Sequence, residues 1–442
     1  MKHITAIILL TVASIATLPV MARDINIAAI DSFITHIEQH NQGIGTVSVA
    51  YNGNTLYTRH YGQQAVPSTC CNYRIGSITK TFTATLIHRL CNSGQLSLDT
   101  TLDNFFPAIS TADSITIAHL LNHTSGLADF TVKQDSLIQW LTQPVSQQDI
   151  LDEIIRQDVI FAPGSDIRYS NSAYYLLGRI IEQLYQAPYE VVIEREITKP
   201  LSLNDTRSSQ SQLHDAALPY RLNTANKWQQ VDEFYFPNIV AVGDMVSSTT
   251  DLITFINALF NGSLIDTASV AQMLPPEGNI WGSGLMLMPF YEHTFYGHAG
   301  DTYGTHTAVM HNPSDSITIA IAINGCAAPR NDLLIGIASA IYDMEYQYTD
   351  YSKHQQYTAT QDELKQYVGI FNSSLIDLPM NITYNEADGN LSLQLRGQPA
   401  IWLEAKSPGV FINSPTGVGI KFKDKDRYTF MQMGRILIYT RQ

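Results

Sequence analysis

Segments with strand character fall at the two ends of residues 23–345 and are nearly absent between them. Gly45 to Tyr51 alternates, Asn52-Gly53 is a tight-turn dipeptide, and Thr55 to Tyr61 reads as the return strand of a hairpin. Strand patterns resume only at Thr294 to His298, Thr305 to Met310 and Ser316 to Ile323, punctuated by Gly300, Gly304 and Asn312-Pro313. The intervening chain carries apolar residues at helical spacing, through Leu86 and Leu90, Tyr174 to Leu184, and Met245 to Leu259 with Thr249 or Thr250 as the expected N-cap. Two distant sets of strands bury their faces most simply as one antiparallel sheet. The expected fold is therefore α+β, an antiparallel sheet flanked by the first helix (Ile27 to Ile37) and a closing helix (Asn331 to Tyr342), with an all-helical region inserted.

Beyond that unit, residues 346–362 turn polar and tyrosine-rich, as a linker would. Residues 363–442 show short strands at Leu391 to Leu395, Ile401 to Leu403, Ile420 to Phe422, Thr429 to Met433 and Ile436 to Tyr439, which predict a small β-barrel. At the other end, Lys2, the apolar run Ile4 to Val20 and the small Ala22 have the layout of a cleaved signal peptide over residues 1–22. Thr11, Ser14, Thr17 and Pro19 dilute the competing reading of an uncleaved anchor. A secreted or periplasmic protein without membrane insertion is expected. A formal net charge of −14 makes nucleic acid and anionic membranes poor partners.

Three groups of residues carry chemistry. Ser77 and Lys80 stand one helical turn apart in Gly76-Ser77-Ile78-Thr79-Lys80, so hydroxyl and amine share a face at a helix start. A serine near pKa 15 needs a neutral base, and a lysine that is buried or beside a second cation can lose its proton near pH 7. Tyr169-Ser170-Asn171 precedes a helix, and Gly297-His298-Ala299-Gly300 lies in a late strand. Other candidates are weaker. His36 and His40 are four apart on the first helix, where a solvated face is the expectation. Cys70, Cys71, Cys91 and Cys326 have no metal-ligand spacing, leaving buried thiols or a single bridge open.

Taken in order, these groups resemble the serine β-lactamase and penicillin-binding-protein superfamily, in its class C β-lactamase, D,D-carboxypeptidase, D-aminopeptidase and esterase branch. The context segments Leu120 to Leu127, Phe161 to Gly164 and Val246 to Ser248 extend the likeness, and the C-terminal part resembles a lipocalin-like barrel. The resemblance implies a β-lactamase/transpeptidase-like fold with Ser77 as the acylated nucleophile. Lys80 and Tyr169, the tyrosine through a lowered pKa, would share the general-base work. Asn171 would bind the acyl side of the substrate, and the backbone N–H groups of Ser77 and Asp301 would form an oxyanion hole beside His298, Ala299 and Gly300. The implied substrate is a small peptide, amide or ester, with D-amino-acid peptides or amides as the leading reading. An esterase or weak β-lactamase with the same catalytic residues, and a non-catalytic ligand-binding protein on the same fold, are the alternatives, and no metal or organic cofactor is implied. Many β-lactamases carry Lys-Thr/Ser-Gly where this chain has His298-Ala299-Gly300, so weak β-lactam turnover is expected. A charged His298 would grip a substrate carboxylate with a KM rising from pH 5.5 to 8. Arg330 is the alternative cation, though a surface position is the simpler expectation for it.

Overall fold

A computed structural model describes residues 25–63, 71–131, 142–208, 216–223, 226–351, 357–373, 379–386, 389–395, 400–413, 418–432 and 435–442. The expected signal segment 1–22, Cys70 and residues 352–356 of the expected linker lie outside the described residues.

The two sets of strands join as the sequence predicts. Strands β1 (Gly43–Tyr51) and β2 (Asn54–Tyr61) form the N-terminal hairpin. The later strands are β3 (Met286–Phe290), β4 (His293–Asp301), β5 (His306–Asn312) and β6 (Ile317–Cys326). β1 pairs antiparallel with β6, Val47 opposite Ile321, and the main path runs β2-β1-β6-β5-β4-β3. A short ribbon of Tyr220–Leu222 and Trp228–Gln230 joins the same sheet through Gly325. β3 is an addition to the sequence reading. Its Pro289 hides the strand pattern, yet an edge strand tolerates a residue that cannot donate to a ladder.

The sheet is covered on both faces. Helix α1 (Ile27–Gln39) and the closing helix α5 (Arg330–Ile341) pack Ile30, Phe33, Ile34, Leu334 and Ile337 against Ile317, Ile319, Ile321 and Ile323 of β6. The alternate β6 positions are Thr318, Ala320 and Ala322, small enough to admit helix α4 (Thr249–Phe260) closely, with Asn257 Nδ2 donating to Thr318 Oγ1 at 3.0 Å. Ser248, rather than Thr249 or Thr250, caps α4 by accepting from the Asp251 amide. The second core holds α2 (Thr79–Asn92) and α3 (Asn171–Tyr185), where Phe82 stacks on Phe255 with centroids 3.6 Å apart.

His36 and His40 do not form the solvated face that their spacing suggests. Their rings pack 4.4 Å apart in a tilted arrangement against Tyr348 and Tyr351, and His36 Nε2 donates to the Thr349 carbonyl at 2.9 Å. The first residues of the expected linker are thus docked on α1. Cys91 and Cys326 are free thiols.

The C-terminal strands, from Gly369–Asn372 to Arg435–Arg441, form a closed barrel of eight sequential antiparallel strands. Its interior is filled by Phe371, Ile382, Leu391, Phe411, Ile420, Tyr428 and Tyr439, all buried.

Candidate active site

Ser77 is half-buried in a 3-10 turn (Gly76–Ile78) that runs directly into α2, and Lys80 lies fully buried in the first turn of that helix. Lys80 Nζ is 3.0 Å from Ser77 Oγ and donates to the Val242 carbonyl at 2.9 Å. Burial pulls the Lys80 amine down from 10.5 to about 7, against the opposing charge of Asp129. A carbonyl only accepts, so in the neutral amine one N–H is committed to Val242 and the lone pair is available to the Ser77 hydroxyl. Burial is what lowers this lysine enough for its neutral form to be well populated near pH 7, with no second cation beside it among the causes.

The turn holding Ser77 abuts the end of β4 through two glycines. Gly76 has φ +51°, and a Cβ there would lie 2.9 Å from the Asp301 amide nitrogen. A Cβ on Gly300 would overlap the Ile75 carbonyl oxygen. Thr307 Oγ1 ties the two segments, donating to Ile75 O at 3.0 Å and Gly300 O at 3.2 Å. Gly300 therefore serves close backbone approach, setting the Asp301 N–H beside the serine turn.

Tyr169 stands just before α3, where Ser170 is the N-cap and its amide donates to His123 Nδ1 at 3.2 Å. The Tyr169 hydroxyl is hydrogen-bonded to Ser77, and its ring stacks on His123 at 4.3 Å. Burial raises the phenol well above 10, the Ser77 bond only partly opposing it. The lowered tyrosine pKa expected from the resemblance is not found. The carboxylates Asp129 and Asp301 also oppose a phenolate, so Tyr169 rests as a phenol.

Asn171 begins α3 and gives its Nδ2 to Asp129 Oδ2 at 2.9 Å and Thr131 Oγ1 at 3.2 Å. Thr131 in turn donates to Asp129 Oδ1 through its amide (2.9 Å) and hydroxyl (2.7 Å). Burial pushes the Asp129 carboxyl up, opposed by these bonds and by Lys80. A carboxylate only accepts, which fixes the Asn171 amide with nitrogen toward Asp129 and Oδ1 on the other side.

His298 departs from expectation most. It is 2% exposed, and burial with the nearby charges of Lys80 and Arg330 lowers it from 6.5 to about 3. Its Nδ1–H donates to the Ala299 carbonyl at 2.6 Å, which leaves Nε2 as an acceptor. It is neutral throughout pH 5.5–8 and grips no carboxylate by charge. Arg330 is not a surface residue either. At 9% exposure it donates Nη1 to Asp301 Oδ1 at 2.6 Å, where His306 Nδ1 also donates at 2.8 Å. Despite the burial that opposes it, Arg330 and His306 hold the Asp301 carboxyl down at about 2.

A family model described as Beta-lactamase matches residues 30–340. The chain belongs to the beta-lactamase family. Within it, penicillin-binding protein 4* of Bacillus subtilis (strain 168) is 30% identical over 265 residues, 55% of this chain and 58% of the relative's length, so the match spans little more than half of that protein. Protein flp of Staphylococcus aureus (strain NCTC 8325 / PS 47) is 26% identical over 78% of this chain and 70% of its own. Among solved structures, the D-amino acid amidase of Ochrobactrum anthropi SV3 complexed with D-phenylalanine has TM-score 0.62 and 25% identity, covering 72% of this chain and 99% of its own. The octameric penicillin-binding protein homologue of Pyrococcus abyssi shares the fold over 93% of this chain and 99% of its own, with TM-score 0.62 and 23% identity. The family assignment groups this chain with proteins of the serine β-lactamase and penicillin-binding-protein type.

Ser77, Lys80, Tyr169, Asn171, His298, Gly300 and Asp301 thus converge from three separate segments of the chain. His123 lies in the context segment Leu120 to Leu127, whereas Asp129, the Val242 carbonyl, His306 and Trp281 are not singled out in the sequence. One signal was available: Asp129 is the only acidic residue in the segment from Asn122 to Thr131.

Proposed function

We propose that this protein is an exported serine hydrolase that forms an acyl-enzyme at Ser77 and cleaves amides of D-amino acids whose α-amino group is free. Export rests on the character of residues 1–22. The observation that carries the substrate class is the distribution of charge around Ser77. On the acyl side, Asn171 Oδ1 is an acceptor backed by the Asp129 carboxylate, which suits an ammonium. On the side of His298, the histidine is neutral and Arg330 is engaged by Asp301, which offers little to the terminal carboxylate of a peptide. A charge-assisted hydrogen bond is worth about 1.5–3 kcal/mol, or roughly 10- to 150-fold in binding. The D configuration is supported by the likeness to a protein named D-amino acid amidase.

The chemistry follows from the groups present. Ser77 Oγ attacks the amide carbon while its proton passes to the neutral Lys80 amine. The oxyanion is received by the N–H groups of Ser77 and Asp301, each such donor contributing about 3–4 kcal/mol. The proton then moves from Lys80 through the Tyr169 phenol to the leaving nitrogen, and the C–N bond breaks. A water molecule attacks the acyl-enzyme with the same base, and Ser77 departs with its proton restored.

The test is a substrate panel: D-phenylalanine amide and D-alanine amide, their N-acetyl forms, N-acyl-D-Ala-D-Ala, p-nitrophenyl esters and nitrocefin. Free-amine D-amides should be preferred over their N-acetyl forms by at least tenfold, and Asp129→Asn should erase most of that preference. Faster cleavage of N-acyl-D-Ala-D-Ala than of any D-amino-acid amide would overturn the assignment in favour of a carboxypeptidase.

A further inference from the structure

Trp281 is not part of any motif in the sequence, yet its indole meets three residues of the site. Its ring centroid lies 5.0 Å from Tyr169, 5.8 Å from His298 and 5.6 Å from His123. It is half-buried, and its neighbour Ile280 is 45% exposed, so the indole sits at the rim of the cleft rather than in the core.

The loop behind it is fastened to α2. Thr81 Oγ1 donates to the Gly284 carbonyl at 2.7 Å, and the His88 imidazole bonds Ser283 Oγ at 2.9 Å. The Ser283 amide donates to Met273 O at 3.0 Å and the Gly282 amide to Leu285 O at 2.8 Å. Gly284 has φ +68°, and a Cβ there would press on Ala84 and on the Lys80 carbonyl. The loop therefore rests directly against the turns of α2 that carry Lys80, with buried partners on both sides. The indole is held, not loosely draped.

Its position relative to the reaction follows from the residues it touches. The group that returns a proton to the leaving atom must face the leaving group, and in the proposed mechanism that group is Tyr169. His298 lies three residues before Asp301 on β4, about 10 Å back along the strand from the oxyanion donor. Trp281 contacts both.

We propose that Trp281 closes the leaving-group side of the cleft and restricts the enzyme to small leaving groups, ammonia or a short amine or alcohol, rather than peptides or bulky amines. This rests on the reading of Ser77 as an acylated nucleophile. The indole is a specificity-determining residue.

The test is a series with one acyl group and a growing leaving group: D-phenylalanine amide, N-methylamide, N-butylamide and the D-Phe-D-Ala dipeptide. A parallel series uses the methyl, butyl and benzyl esters of D-phenylalanine. For the wild type, kcat/KM should fall at least 30-fold from amide to butylamide. In Trp281→Ala that ratio should shrink at least tenfold, through faster cleavage of the large members, and Trp281→Phe should fall between the two. A ratio is insensitive to a general loss of activity, and fluorophosphonate labelling of each variant checks that the site is assembled. A wild type indifferent to leaving-group size, or a ratio unchanged in Trp281→Ala, would overturn the proposal. The ester series separates it from the amidase reading. Inert amides with a size-dependent, Trp281-dependent ester series would remove the amidase and retain the role of Trp281.

Discussion

Replacing Lys80 with methionine keeps the length of the side chain and discards a buried amine. The wild-type amine is lowered from 10.5 to about 7 by burial. At about 1.4 kcal/mol per pH unit, the interval between those values amounts to about 5 kcal/mol. The sign follows from proton uptake: the folded value is below the unfolded one, so between pH 7 and 10.5 the unfolded chain holds more protons and stability rises with pH. At pH 6 the wild type carries nearly the whole cost of a buried ammonium. At pH 9 the folded amine is neutral, and about 3 kcal/mol of the cost has been relieved. The methionine variant has no such slope. It also loses the bond to the Val242 carbonyl, but that loss does not depend on this titration and leaves the slope untouched. Urea unfolding at pH 6 and pH 9, followed by tryptophan fluorescence, should therefore show the wild type gaining about 3 kcal/mol relative to Lys80→Met over that interval. An equal difference at both pH values would refute a lysine neutralised by burial, and so would a change of the opposite sign.

Three further outcomes follow. Because Lys80 must be neutral in the free enzyme, kcat/KM should fall about tenfold per pH unit below about pH 7, measured with a neutral ester whose own charge does not change. His298 is neutral down to about pH 3, so KM for carboxylate-bearing and neutral substrates should run parallel from pH 5.5 to 8; a KM rising only for carboxylates would restore a charged histidine. Gly300→Ala should abolish fluorophosphonate labelling of Ser77, or prevent folding of the domain altogether, because the added methyl overlaps the Ile75 carbonyl; full labelling would disprove the close approach of β4 to the serine turn.

How far the sequence speaks depends on how local each contact is. The β1–β2 hairpin is legible because Asn52-Gly53 and the flanking alternation are adjacent in the chain. β6 is legible because isoleucine alternates with threonine or alanine, although which helix lies on which face is not. In the barrel, Gly369–Asn372, Met380–Asn385 and Val410–Asn413 escape notice, the first because it holds only two large apolar residues, the second because asparagine and threonine alternate with its inward residues, the third because only three apolar residues stand between turns. Ser77 and Lys80 are readable from a spacing of three. The partners that set their chemistry are remote: Asp129, the Val242 carbonyl and Trp281 lie roughly 50 to 200 residues away along the chain. Charge states are the least legible. Burial decides that Lys80 is lowered, Tyr169 raised and His298 neutral, and burial belongs to the fold rather than to the motif.

The most direct test of the central claim is intact-mass analysis of the protein after exposure to a fluorophosphonate, with peptide mapping of the adduct, beside Ser77→Ala and Lys80→Met. The account predicts a single adduct on the peptide containing Ser77, absent from Ser77→Ala and strongly slowed in Lys80→Met. An adduct of equal yield in Ser77→Ala, or one mapping to another residue, would contradict it.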